Sequence, residues 1–239
     1  MKVLILAGGK GTRAYPYTDS MPKAMMPVNG RPILLHVMQI FVQQGFNEFV
    51  LSLGWQKDVI IDYFHQKNVD WDVQLVDTGV DTDTGGRIEK CKHLLGDTFM
   101  ATYVDGLSDV CLNSLVEFHR MHQGLATLTS VPLRSQYGTV ITDERGSITD
   151  FQEKPVLREH WINAGFFVFD KKVFDHWPGT NLERHVLPEL SRNGQIYAYK
   201  HDGFFKSMDT YKDQQEIEQM CQVGDMPWKT VGRRNLAAM

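Results

Sequence analysis

Lys2-Val3-Leu4-Ile5-Leu6-Ala7-Gly8-Gly9-Lys10-Gly11-Thr12-Arg13 decides the fold. Its first half, Val3–Ala7, is apolar without a break, the pattern of a strand buried on both faces of a parallel sheet; a half-exposed strand would alternate. Its second half sets three glycines around Lys10, with Thr12 and Arg13 following. Glycines let backbone N–H groups crowd around a phosphate, and ligands of open α/β sheets bind beyond the carboxyl ends of the strands. A plain strand-ending turn would explain the glycines but not the Lys10/Arg13 pair beside them. The expectation is a buried first strand running into a phosphate loop.

The rest of the first half repeats this alternation. Ile33, Val37, Ile40, Phe41 and Gln44 keep a helical period with Pro32 suited to the first turn and Gly45 as the stop. Strands follow at Glu48–Leu53, Val73–Val76 and Phe99–Val104, with helices near Lys57–His65 and Arg87–Leu95. Repeated β-α-β predicts a doubly wound, mostly parallel sheet flanked by helices. From Ala126 the texture becomes β-rich, with strands expected at Ala126–Val131, Thr139–Thr142, Ile148–Gln152, Ile162–Phe169 and Ile196–Lys200. The predicted organisation is one α/β domain over 1–228, with a β-α-β first half (1–125), a β-richer second half (126–228) that closes over it, and a tail (229–239).

Composition excludes several classes. With 239 residues, 42% of them hydrophobic, a sizeable core can form. The net charge of −4, with Lys and Arg dispersed, lacks the basic stripe of a nucleic-acid surface. No apolar run reaches membrane-spanning length, and Met1–Ala7 is short for a signal peptide, so a cytoplasmic enzyme without a membrane partner is expected. Cys91, Cys111 and Cys221 show neither CxxC nor metal spacing and read as reduced thiols. None of the nine histidines stands out.

Gly9-x-Gly11-x-x-Ala14 formally matches a dinucleotide fingerprint. That motif needs a helix starting at its second glycine and an acidic residue ending the second strand. Pro16 and Pro22 argue against the helix, and the strand ends Ser52-Leu53-Gly54. A dehydrogenase is therefore a poor third reading, and no G-x-x-x-x-G-K-[ST] sequence marks a P-loop enzyme.

Several short motifs in order then carry a resemblance. Leu6–Arg13, Pro22-Lys23 and Gly30-Arg31-Pro32-Ile33-Leu34 resemble the signature of the sugar-nucleotide pyrophosphorylase superfamily of nucleotidyltransferases. Val76–Gly79, Thr84–Arg87, Tyr103–Gly106, Phe151–Pro155, Trp161–Val168 and Met208–Thr210 are similar to its glucose-1-phosphate cytidylyltransferase branch. The resemblance covers Lys2 to about Lys229. It implies a Rossmann-like nucleotidyltransferase fold and an enzyme that joins CTP to a sugar 1-phosphate, releasing pyrophosphate. It places Leu6, Ala7, Gly8, Gly9, Lys10, Gly11, Thr12, Arg13 and Val104 around the nucleotide. Lys23 and Arg13 fall at the reacting phosphates, Asp105 and Asp209 at Mg2+. Thr82, Thr84, Gly85, Gly86 and Arg87 are implied to read the base, and Lys154, with Glu153, Asn163 and Gly165, to face the acceptor. Val104 stands where a glycine is common before the metal aspartate, and Ala164 where a second glycine is usual. The segment between Phe64 and Trp71 is shorter than in the family, which leaves assembly into a homo-oligomer open.

These residue types suit the chemistry. Attack of a phosphate oxygen on the α-phosphorus accumulates negative charge, so catalysis is positioning and electrostatics. A phosphate monoester, with its second pKa of about 6, arrives as a dianion and needs no protein base. Magnesium takes few protein carboxylates and keeps waters and substrate phosphates. Taken singly, Asp105 reads equally as an Asp-Gly turn and Asp209 as a helix N-cap. A uridylyl- or thymidylyltransferase, a different phosphorylated acceptor, and a catalytically silent sugar-nucleotide-binding subunit are the competing readings.

Overall fold

The computed structural model describes residues 1–15, 17–67 and 69–230, without the Tyr17 side chain. Pro16 and the tail from 231 onward lie outside the described residues. Strand β1 (Val3–Leu6) is followed by the short β2 (Pro27–Val28) and β3 (Arg31–Pro32), then β4 (Glu48–Leu53), β5 (Asp72–Asp77), β6 (Thr98–Tyr103) and β7 (Gly106–Ser108). The second half contributes β8 (Ala126–Arg134), β9 (Thr139–Thr142), β10 (Ile148–Gln152), β11 (Val156–Asp170), β12 (Ile196–Lys200) and β13 (Phe205–Ser207). The α-helices are α1 (Tyr17–Ser20), α2 (Ile33–Val42), α3 (Lys57–Gln66), α4 (Thr84–Cys91), α5 (Leu112–Met121), α6 (Leu187–Arg192) and α7 (Tyr211–Gln222).

Seven strands form one mixed sheet in the order β12-β8-β11-β6-β1-β4-β5. All pairings are parallel except β11 with β6 and β11 with β8. Helices cover both faces, which is why β1 is apolar at every position. Val3 and Ile5 join Phe49, Met100 and Phe166 in one core; Leu4 and Leu6 join Val50, Phe99 and Phe167 in the other. The second half does not build a separate β layer: β8, β11 and β12 extend the sheet that β1 begins. Only the β9–β10 hairpin and the β7–β13 and β2–β3 ribbons stand apart.

One local departure from expectation has a clear cause, and one expectation, that no long helix starts at Gly11, is met. Helix α4 starts at Thr84, three residues before the expected Arg87, because the Asp83 carboxylate caps it by accepting from the Thr84 amide at 2.8 Å. After Gly11, whose φ is +61°, the chain forms a three-residue 3-10 turn, Thr12–Ala14, in place of the long helix a dinucleotide fingerprint needs. Among the described residues no helix is long and apolar enough to cross a membrane. The cysteines are free, and burial pushes the Cys91 thiol up to about 11, so it packs as an inert side chain.

One buried polar chain ties α5 to β8. The Gly124 amide donates to His122 Nδ1 (3.1 Å), so the His122 proton sits on Nε2 and is donated to Thr127 Oγ1 (2.6 Å). Thr127 in turn donates to His119 Nδ1 (2.9 Å). Burial, with His122 alongside, pushes His119 down from 6.5 to about 4. A folded-state pKa below the unfolded value means that the unfolded chain binds the extra proton. Stability is therefore complete above pH 6.5 and declines as pH falls from 6.5 to 4, by on the order of 3 kcal/mol. Urea unfolding across this range should show that slope, and His119→Gln should flatten it; an unchanged slope in the variant would refute the assignment.

Candidate active site

The carboxyl ends of β1, β4, β5 and β6 lie along one edge of the sheet, and an open cleft of about 240 Å³ is built on them. Leu6, Ala7, Gly9 and Gly11 supply one wall. Thr82, Asp83, Thr84 and Arg87 supply another, while Tyr103, Val104 and Asp105 end β6, with Lys23 and Ala24 alongside. Of the residues expected at the nucleotide, Gly8, Lys10, Thr12, Arg13, Gly85 and Gly86 are not among the lining.

The charged centre joins residues far apart in the chain, Lys23 with Asp105 and Asp209. Lys23 enters on a 3-10 turn after Pro22, and its side chain is only 10% exposed. Its ammonium donates to Asp105 Oδ2 and, at 2.9 Å, to Asp209 Oδ1. Arg13 Nη2 reaches the same Asp209 oxygen at 2.9 Å from the solvent side. Ser207 Oγ donates to Asp209 Oδ2 at 3.1 Å. Burial works to raise the Asp209 carboxyl, but Lys23, Arg13 and Ser207 outweigh it and hold the group below the usual carboxylate range. Lys23, Arg13, Asp105 and Asp209 thus come together as two cations on two carboxylates.

The β7–β13 ribbon accounts for that convergence. Ser207 pairs with Gly106 and Lys206 with Leu107, and the Met208 amide donates to the Asp105 carbonyl at 2.9 Å. Asp209 is not the cap of α7. Thr210 is, in a capping box with Asp213, so the Asp209 carboxylate stays available to the cleft. Among the described residues no group of three or more His, Cys, Asp or Glu could hold a metal. Two carboxylates converging on one cation fit magnesium, which uses few protein oxygens and completes its octahedron with water and phosphate.

The glycines do different work from that expected. Gly9 is exposed with open space where a Cβ would sit, so its backbone is accessible to a ligand. Gly11 needs its positive φ, and a Cβ there would come within 2.9 Å of the Lys23 Cβ. Gly8 is buried against Arg87, and an added Cβ would lie 2.0 Å from Arg87 Nη1. Gly85 and Gly86 lie inside α4 and serve packing: the Gly86 amide donates to the Thr180 carbonyl at 2.7 Å, and a Cβ on Gly85 would stand 2.9 Å from that oxygen. They do not lie flat against the cleft as a base-reading loop would.

Arg87 is likewise redirected. Only 3% exposed, its guanidinium donates to the carbonyls of Leu53 (3.0 Å), Gly8 (2.9 Å) and Val80 (3.2 Å) and to Thr78 Oγ1 (2.7 Å). It fastens the loop after β1 to the ends of β4 and β5, and these bonds occupy both of its terminal nitrogens. Thr82 donates to the Thr78 carbonyl and receives Lys90, and Thr84 donates to Glu183 at 2.7 Å. Lys10 meets Asp81, at 3.4 Å on the surface.

On the acceptor side, Asn163 and Gly165 bear on Tyr103. Asn163 Nδ2 donates to the Tyr103 hydroxyl at 3.4 Å, and Gly165, with φ +78°, leaves the room that the Tyr103 ring occupies. The Tyr103 hydroxyl donates to Glu183, so burial and that carboxylate push its pKa well up. Sequence reasoning missed roles for Tyr103, Asp83 and Glu183; of the three, only Tyr103 stands in a quoted motif, Tyr103–Gly106. Glu153 and Lys154 do not line the cleft. They occupy the turn between β10 and β11, exposed, 3.8 Å from each other, with Lys154 at φ +47°. The freestanding β9–β10 hairpin carries them outward.

An α/β sheet whose strand ends carry a glycine-rich loop, a bridging lysine and paired aspartates fits a nucleotide-handling transferase. The chain belongs to the nucleotidyl transferase family, whose model matches residues 2–222. It is 38% identical over 254 residues to the "Probable glucose-1-phosphate cytidylyltransferase" of Bacillus subtilis (strain 168), covering 96% of this chain and 99% of that one. It is 35% identical to the glucose-1-phosphate cytidylyltransferase of Salmonella typhimurium at the same coverage. The crystal structure of HddC from Yersinia pseudotuberculosis shares the fold, with a TM-score of 0.73 at 24% identity over 92% of this chain and 99% of that one. The protein is thus a nucleotidyltransferase.

Proposed function

We propose that this enzyme transfers a cytidylyl group from CTP to glucose 1-phosphate or a related sugar 1-phosphate, giving a CDP-sugar and pyrophosphate. The observation that carries the reading is Lys23 held between Asp105 and Asp209 beside the Gly9–Gly11 backbone. In this reading the triphosphate lies along that loop, and Lys23 follows the α-phosphate as its charge grows. Arg13, paired with Asp209 from the solvent side, meets the leaving pyrophosphate. Asp105 and Asp209 would hold magnesium, which when bound neutralises the reacting phosphates. The acceptor sits toward Tyr103 and Asn163, its own dianionic phosphate serving as nucleophile.

With Arg87 engaged on the backbone, cytosine has to be read by main-chain groups of Ala7 and Gly9 and by the Thr82–Thr84 wall. Its amine donates where the uracil carbonyl accepts, so backbone carbonyls can discriminate. CTP is expected to be used about tenfold better than UTP or dTTP by kcat/KM, a preference of about 1.4 kcal/mol that one or two hydrogen bonds supply. Pyrophosphate release, with each triphosphate tried against a panel of sugar phosphates, measures it; equal use of UTP would make this a uridylyltransferase instead.

A further inference from the structure

The turn between β12 and β13 is wound around one carboxylate. Asp109 Oδ1 accepts from the Phe204 amide at 2.7 Å and from His201 Nε2 at 2.9 Å. The Asp109 and His201 side chains are 14% and 13% exposed. Gly203 permits the wrapping, since a Cβ there would lie 2.4 Å from Asp109 Oδ1 and 2.5 Å from the His201 ring. The Phe204 carbonyl is bound by Ser108 Oγ (2.9 Å) and the Asp109 amide (3.2 Å), and the His201 amide donates to Ser130 of β8 at 2.8 Å. The turn is therefore fastened both to the end of β7 and to the main sheet.

This cluster closes one end of the β7–β13 ribbon; Asp105 and Asp209 occupy the other. Three residue pairs separate the two ends, Phe205 with Ser108, Lys206 with Leu107 and Ser207 with Gly106. A two-stranded ribbon is marginal on its own, so a piece this short takes its register from what fixes its ends. A slip of one residue would turn every β13 side chain to the opposite face. Asp209, two residues beyond Ser207, would move with the strand and leave Lys23.

We propose that His201 and Asp109 are a positioning pair for the metal site: they lock β13 in register on β7 and so fix where the Asp209 carboxylate stands relative to Asp105. The proposal rests on the reading of Asp105 and Asp209 given above. Neither His201 nor Asp109 touches a reacting group; they act through the ribbon.

The test is Mn2+ binding, followed by electron paramagnetic resonance in the presence of the non-reactive α,β-methylene analogue of CTP. His201→Ala should weaken Mn2+ about tenfold, as loss of a ligand-orienting contact does elsewhere, and lower kcat with a smaller effect on the KM for CTP. Gln places its amide nitrogen near the His Nε2 position, so His201→Gln should restore affinity to within about twofold. Should His201→Ala not fold, His201→Asn, whose donor is too short to reach Oδ1, replaces it. Unchanged Mn2+ affinity in His201→Ala with a lowered melting temperature would reduce the pair to a structural one, and His201→Gln as weak as His201→Ala would also overturn the proposal. Asp209→Asn serves as reference. If it binds Mn2+ like the parent, the metal reading itself fails; if it loses Mn2+ while His201→Ala does not, only the positioning role fails.

Discussion

Asp209→Asn is expected to fold normally and to lose turnover about a hundredfold or more, because an electrostatic stabiliser of the reacting phosphates disappears. Normal folding is expected because α7 does not depend on Asp209: its cap is Thr210, reciprocated by Asp213. The amide that replaces the carboxylate can still accept from Lys23 but carries no charge to share a divalent cation with Asp105. The deficit should therefore grow as magnesium becomes limiting. Steady-state kinetics over a magnesium titration, with circular dichroism as a control for folding, measures it. Parent-like activity in limiting magnesium would remove Asp209 from the metal site.

Lys23→Ala is the second large effect, with kcat falling about a hundred- to a thousandfold, the usual range for deleting one donor aimed at charge that develops in the transition state. Its signature should be distinctive. Lys23 is nearly buried between two carboxylates that are themselves 18% and 25% exposed. Without it, the Asp105 and Asp209 carboxylates lose the cation that bridges them, and their like charges repel. The metal-free variant should melt lower than the parent, and magnesium should raise its melting temperature more than it raises the parent's. A variant with unchanged kcat and an altered acceptor KM alone would place Lys23 at the acceptor instead.

Much of the scaffold could be read from the chain because local pattern and tertiary demand agree. Thr139–Thr142, Ile148–Gln152 and Ile196–Lys200 have their predicted bounds, each framed by turn residues. Val3–Leu6 is buried on both faces, as its unbroken apolarity requires. Legibility failed where a residue's reason lay in a distant partner. Gly85 and Gly86 look like a loop, yet they are helical because Asp83 caps them and Thr180, far along the chain, needs the space a Cβ would fill. Arg87 looks like a ligand-binding cation, yet four acceptors from three segments, Gly8, Leu53 and the Thr78–Val80 loop, hold it. That β8, β11 and β12 extend the first sheet depends on pairings that periodicity does not encode. At the site, Lys23, Arg13, Asp105 and Asp209 were singled out by motif order, and the structure gathers them into one cluster. Lys154, singled out in the same way, lies outside the cleft.

The bridging of Lys23 also orders events during synthesis. Asp105 lies 82 residues beyond Lys23 in sequence and Asp209 186 residues beyond it. The ribosome therefore delivers β1, β4, β5 and β6, with Lys23 and Asp105, before Asp209 exists. Because β8, β11 and β12 belong to the same sheet, the domain closes as one unit, and the cluster of two cations and two carboxylates is completed only when β13 pairs with β7 and brings Asp209 to Lys23.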